Sequence, residues 1–188
     1  MGGGAQFGKV VHVFLVFRFL ILELSHGVGR RNVLVQSRSR ILHGLFVHDA
    51  IQILLDFFFE NGIFGFEELK RFVVIECEQT EPIQWLQAID DKDISLPIMN
   101  PFIVKNDYEI EVENDELSEI GTQNEKEMIA FNVLVIPQEI PKCTINLAAP
   151  ILINVTNNRG KQIIMETKMD NAIRYPAFEG LKHYFKES

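Results

Sequence analysis

Residues 151–166 read ILINVTNNRGKQIIME, two short β-branched and apolar runs separated by Asn157, Asn158, Arg159 and Gly160. Val, Ile and Thr suit an extended, half-buried backbone whose alternate side chains go to opposite faces. Asn157, Asn158 and Gly160 accept positive φ, so the spacing predicts a hairpin with a four-residue turn over 157–160 and strands at 151–156 and 162–166. The same grammar extends upstream. From Phe72 onward the apolar runs are short and broken by turn residues every eight to twelve positions, which predicts further strands at 72–76, 84–89, 95–99, 108–113, 129–136 and 144–146. Prolines 82, 97, 101, 137, 141 and 150 stand at or near strand ends, where a missing amide donor is tolerated. Helix is confined to short pieces. Asn114 or Asp115 can cap a helix over 116–120 that Gly121 stops, and a helical turn over 66–71 would pair Glu67 with Arg71. The expected class is therefore mainly β.

Upstream of this region the character of the chain changes. The whole chain has 188 residues, a net charge of −8, 47% hydrophobic and 23% charged side chains, enough for a sizeable core in one domain. Residues 1–56 hold six basic and three acidic side chains, net +3; residues 57–188 hold 12 and 23, net −11. All seven prolines lie in the second part. Residues 1–56 thus read as an atypical N-terminal extension, disordered or the product of a misplaced start or frame error, ahead of a β domain over 57–188. The apolar stretch 10–24 is interrupted by His12, Arg18 and Glu23, too short and too charged to span a bilayer, and it makes a poor signal peptide. The basic stretch 30–40 reads as a solvated loop.

The chemistry-bearing residues are sparse. No GxSxG, HExxH, P-loop or dinucleotide glycine pattern occurs, and the acidic part contains a single histidine, His183. Two cysteines, Cys77 and Cys143, exclude a disulfide scaffold or a cysteine zinc site and read as small reduced side chains. Neither cofactor nor metal is expected. The acidic balance also argues against direct nucleic-acid binding, which needs surplus Lys and Arg. Asn154-Val155-Thr156 matches the glycosylation sequon but falls within a predicted strand. Residues 106–127 carry nine acids and one base, and within them Tyr108 to Glu113 alternate strictly. On a strand, Tyr108, Ile110 and Val112 turn inward while Glu109, Glu111 and Glu113 line one face about 6–7 Å apart. Such a row is either a solvated outer face or a docking surface for a basic protein; the carboxylates diverge too much to enclose an ion well. A hydrolase using two carboxylates, and a membrane-associated protein anchored by 10–24, are the readings from other classes. Trp85 reads as core. Phe102, behind Pro101, reads as a core plug or an exposed anchor, with core the commoner outcome.

Four blocks, ENGIFGFEELKRF at 60–72, IQWLQAIDDKDISLPIMNPF at 83–102, FNVLVIP at 131–137 and INLAAPILINVTNNRGKQII at 145–164, together resemble the bacterial flagellar assembly factor FliW family. The resemblance implies a small antiparallel β-barrel-like fold and a cytoplasmic, non-enzymatic regulator. It also implies two partners, flagellin and the translational regulator CsrA, whose exchange couples flagellin synthesis to flagellum assembly, with the regulator itself a monomer. The family's Asn/Asp-Pro-Phe step stands here as Asn100, Pro101 and Phe102, and its Asn-Leu-x-Ala-Pro step as 146–150. Contact residues are expected at Asn100, Pro101 and Phe102 from this carry-over, and at Glu109, Glu111 and Glu113 from charge. Two departures stand out: Phe64 replaces a common proline, and the family's opening strand has no counterpart in residues 30–57, which predicts a barrel with an unpaired edge.

Overall fold

The computed structural model describes residues 51–77, 80–122 and 124–184, with side chains from residue 56 onward except that of Glu125. Strands β1 (Ile51–Phe59), β2 (Arg71–Cys77), β3 (Gln84–Ala88) and β4 (Ser95–Met99) form an antiparallel meander. β5 (Met128–Val135), β6 (Thr144–Ile145), β7 (Ile151–Asn154), β8 (Arg159–Gln162) and β9 (Tyr175–Pro176) complete the strands among the described residues. Pairing runs β4-β3-β2-β1-β8-β7-β5, and β5 returns to β4 with Ile98 opposite Val133 and Met99 opposite Asn132. Seven strands therefore close into a barrel. The lone parallel contact among them sets Phe58 opposite Arg159 and Phe59 opposite Gly160. β6 and β9 prolong β5 as a small flap beside the barrel.

β1 overturns the expectation of an unpaired edge. Its sequence, IQILLDFFF, lacks the family's opening step, yet it pairs with β2 on one side and β8 on the other. Alternation suffices for the role: Phe57 and Phe59 point into the core while Phe58 stays exposed. The sheet thus begins inside the segment set apart by charge, at Ile51. The stretches 10–24 and 30–40 lie outside the described residues.

Inside the barrel, Phe57, Phe59, Phe72, Val74, Leu86, Ile98, Phe131, Ile151 and Ile153 pack together. Phe59 and Phe72 meet edge to face with ring centroids 5.4 Å apart. Gly160 makes this possible, since any Cβ at that position would overlap the Phe59 ring. The outer surface is covered in two places. Val73, Ile75 and Cys77 pack with Trp85, which is buried as expected. Leu152 and Ile163 lie beneath Ile120, Ile110, Val112 and Leu117. Cys77 and Cys143 are both buried thiols.

Four local expectations are corrected. The β7–β8 turn spans 155–158, two residues earlier than the Asn-Asn-Arg-Gly spacing predicts. Asn158 supplies the positive φ, at +60°, which frees Gly160 to serve as the flat position under Phe59. Residues 66–71 form no helix: Arg71 lies on β2 and pairs with Asp56 of β1 at 2.5 Å, while the Glu67 carboxylate accepts from the Gly65 amide at 2.8 Å. Helix α1 (Asn114–Glu119) starts two residues earlier than predicted because Glu113, not Asn114 or Asp115, occupies the N-cap; Gly121, at φ +73°, follows its end as expected. Last, 108–113 forms no strand and belongs to no ladder. Its side chains still alternate, with Tyr108 buried and Ile110 and Val112 half-buried on the barrel, and Glu109, Glu111 and Glu113 outward. Apolar packing on the barrel wall, in place of strand pairing, holds it there.

Candidate protein-interaction surface

The outward carboxylates ride on a segment pinned at both ends. At the first end Tyr108 is buried and its phenol donates to the Leu147 carbonyl at 2.6 Å. At the second, the closing carbonyls of α1 are taken up by the β7–β8 hairpin. Asn154 and Asn157 Nδ2 donate to the Ile120 carbonyl at 3.1 and 2.9 Å, and Arg159 Nη1 donates to the Glu119 carbonyl at 3.1 Å. Cationic and amide donors satisfy helix-end groups that would otherwise lack partners. Lys161 reinforces the joint, with Glu119 at 2.8 Å and Glu116 at 3.8 Å. This use of Asn154, fully buried and also accepting from Thr156, removes it from consideration as a glycosylation acceptor in the folded chain.

Between the two pins, Glu109, Glu111 and Glu113 are exposed, and none has an ion-pair partner within 4 Å among the described residues. Lys105, which feels the charge of Glu109 through space, is engaged by Asp107 at 2.6 Å, and that bond holds the Asp107 carboxyl below its ordinary range. The row is a ridge of like charge on a fixed scaffold.

Asn100, Pro101 and Phe102 abut the buried end of this ridge. Asn100 Oδ1 accepts from the Phe102 amide at 3.0 Å and caps a 3-10 turn over Pro101–Ile103. Pro101 is buried and fixes the turn. Phe102 is 44% exposed and tilts against Tyr108 with ring centroids 6.1 Å apart. Of the two readings of Phe102, core plug and exposed anchor, the commoner one, core, does not hold: Tyr108 occupies the buried place and the capped turn leaves the Phe102 ring exposed. In the Asn-Leu-Ala-Ala-Pro step at 146–150, Leu147, Ala149 and Pro150 are buried and Leu147 supplies the acceptor for Tyr108. Sequence reading missed Tyr108 as the link between anchor and ridge. Its strict alternation marked it as inward, but its partner lies 39 residues away.

Burial pushes the Tyr108 phenol from 10 up to about 12, and the Cys143 thiol from 9 up to about 11. Both groups are held neutral by the fold, so their contribution is complete below their ordinary values and is lost as pH rises through the folded ones. Tyr108→Phe is expected to cost about 1 kcal/mol near neutral pH through the lost hydrogen bond. It also removes the fall in stability between pH 10 and 12, leaving the part that starts nearer pH 9 for Cys143. Thermal midpoints measured from pH 8 to 12 for both proteins check this; parallel curves refute it.

Residues 43–177 match the protein family described as FliW protein. The chain belongs to the FliW family. A flagellar assembly factor FliW from Thermosipho africanus is 43% identical over 111 residues, covering 58% of this chain and 77% of the relative. One from Caldicellulosiruptor saccharolyticus is 36% identical over 144 residues, covering 77% and 91%. A crystal structure of the flagellar assembly factor FliW superposes with a TM-score of 0.61 at 30% identity, over 65% of this chain and 84% of the other. The FliW match begins ahead of β1, so the first barrel strand lies within the family region. At the Phe64 departure, the Phe64 amide donates to Gln162 Oε1 at 3.0 Å, a bond that a proline there could not make. Among the described residues of this FliW chain, no helix is long and apolar enough to cross a membrane.

Proposed function

We propose that this chain is a non-enzymatic flagellar assembly factor that acts in the cytoplasm as a monomer and binds flagellin and CsrA, coupling flagellin translation to flagellum assembly. The observation that carries the reading is the rigid row of unneutralised carboxylates at Glu109, Glu111 and Glu113, headed by the exposed ring of Phe102, in a chain of the FliW family. A basic RNA-binding protein such as CsrA meets such a ridge by charge complementarity, which speeds encounter and fixes orientation. An exposed aromatic beside it supplies the apolar anchor that charge alone lacks. The work is adhesion and release, so it calls for no cofactor, metal or nucleic acid.

The test is titration calorimetry of the purified full chain against CsrA and flagellin. Binding of both is expected, and capture of neither, or turnover of a small substrate, refutes the reading. Phe102→Ala sharpens it. Because the ring is half-exposed, stability should fall by about 1 kcal/mol or less, whereas loss of an interface anchor weakens partner binding by roughly 2 kcal/mol, about 30-fold. Unchanged affinity for both partners takes Phe102 out of the surface.

A further inference from the structure

β2 and β3 are buried on both of their faces. Phe72 to Ile75 and Trp85 to Ala88 are each buried without a break, whereas a barrel strand with one wet face alternates buried and exposed residues. Phe72, Val74, Leu86 and Ala88 belong to the interior, so Val73, Ile75, Cys77, Trp85 and Gln87 make up the outer face. There Val73 is 5% exposed, Trp85 2% and Ile75 1%. β7 shows the same unbroken burial, and its cover is on view: Leu152 lies beneath Ile110, Leu117 and Ile120. Over β2 and β3 the described residues supply far less. Ile89 is the one partly buried apolar side chain among them packed against the cluster, and Thr80 meets only the indole edge, its hydroxyl accepting from Trp85 Nε1 at 3.3 Å. The element contacts of β2 and β3 run chiefly to each other, to β1 and to β4.

We infer that the outer face of β2 and β3 is a docking surface for this chain's own residues 10–24. Three observations select that segment. β1 enters the sheet beside the patch, with Ile51 opposite Cys77 and Ile53 opposite Ile75, so residues 1–50 lead directly to its edge. The connector over 25–50 is long enough to reach any part of the face. Next, VVHVFLVFRFLILEL at 10–24 is the longest apolar run outside the described residues, and in water it would leave a large apolar surface exposed. Finally, the charges match. Residues 1–50 carry six basic and two acidic side chains, net +4, against −12 for residues 51–188, and exposed Glu81 and Asp90 border the patch beyond the ends of β2 and β3. The rest of the chain offers no alternative cover. Glu78, Gln79 and Gln123 are polar, and residues 185–188 follow Phe178–Leu181, which packs beside Ile140–Lys142 next to the flap. The N-terminal segment is thereby a working part of the fold, whichever partners the acidic ridge holds.

Trp85 is the chain's only tryptophan, so its fluorescence reports on this face alone. In the full chain its emission should lie to the blue and resist quenching by acrylamide. The double variant Phe17→Asp, Phe19→Asp places two carboxylates in the cover. Emission should then shift to the red and quenching rise severalfold, while far-UV circular dichroism keeps the barrel's signal. Equal quenching of parent and variant overturns the inference, as does a parent whose Trp85 is freely quenched. Shielding that is lost on dilution overturns it too, since a second copy would then be the cover. If the double variant loses the barrel, single substitutions Leu15→Cys, Phe17→Cys and Phe19→Cys in the full chain decide. A disulfide to Cys77 from at least one of them, found by peptide mass after mild oxidation, upholds the docking because the bond forms only between close backbones. No such disulfide from any of the three overturns it.

Discussion

Changing Glu109, Glu111 and Glu113 together to lysine is expected to weaken CsrA binding by roughly 2–3 kcal/mol at low salt, on the order of 30- to 100-fold. All three carboxylates are exposed and none has a cation of its own among the described residues, so reversal converts attraction into repulsion without first breaking an internal pair. The salt dependence should flatten too, because the parent's advantage is screened over a Debye length of about 10 Å at 0.1 M salt and the variant has none to lose. Glu113 also caps α1, and a lysine there opposes the helix dipole at a cost of about 0.5 kcal/mol. The Glu109→Lys, Glu111→Lys double variant separates the two effects: it keeps the cap and should retain most of the binding loss. Titration at two salt concentrations decides the matter. Equal affinity for parent and variant at low salt removes the ridge from the CsrA surface.

The second large effect is on the barrel interior. Phe59→Ala is expected to cost about 3–5 kcal/mol, since a fully buried ring that meets Phe72 edge to face leaves a cavity that a closed barrel cannot collapse. Gly160→Ala should cost about 1–3 kcal/mol by overpacking, as its new methyl overlaps the same ring. The double variant is the telling one. With the ring gone the methyl has room, so the combined loss should fall short of the sum by 1 kcal/mol or more. Additive losses in denaturant melts would mean that Gly160 is needed for its backbone and not for the ring above it.

Much of the architecture was legible because alternation is a local property. The runs at 72–76, 84–89, 95–99 and 129–136 became β2 to β5 within one or two residues, since β-branched side chains bounded by turn residues have few other options. β1 was obscured by composition: an apolar run without proline, attached to a basic leader, looks foreign until β8 is placed beside it. The turn before β8 was misplaced because Asn and Gly both tolerate positive φ. The choice between them was made by the Phe59 ring, which demands Gly160 on the strand.

The candidate surface divides in the same way. The outward direction of Glu109, Glu111 and Glu113 follows from a period of two and holds although 108–113 never joins a sheet. The exposure of Phe102 could not be read, because burial depends on which aromatic reaches the space first, and Tyr108 takes it by bonding to Leu147. Sequence by itself determined the strands, the faces of their side chains and the sign of the charge they present, all set by neighbours a few residues away. Only the tertiary structure decided that the barrel closes through β1 and that the ridge is pinned by α1 and Tyr108. Each of these turns on contacts between residues distant in the chain, whose free energy exists only once the barrel has formed.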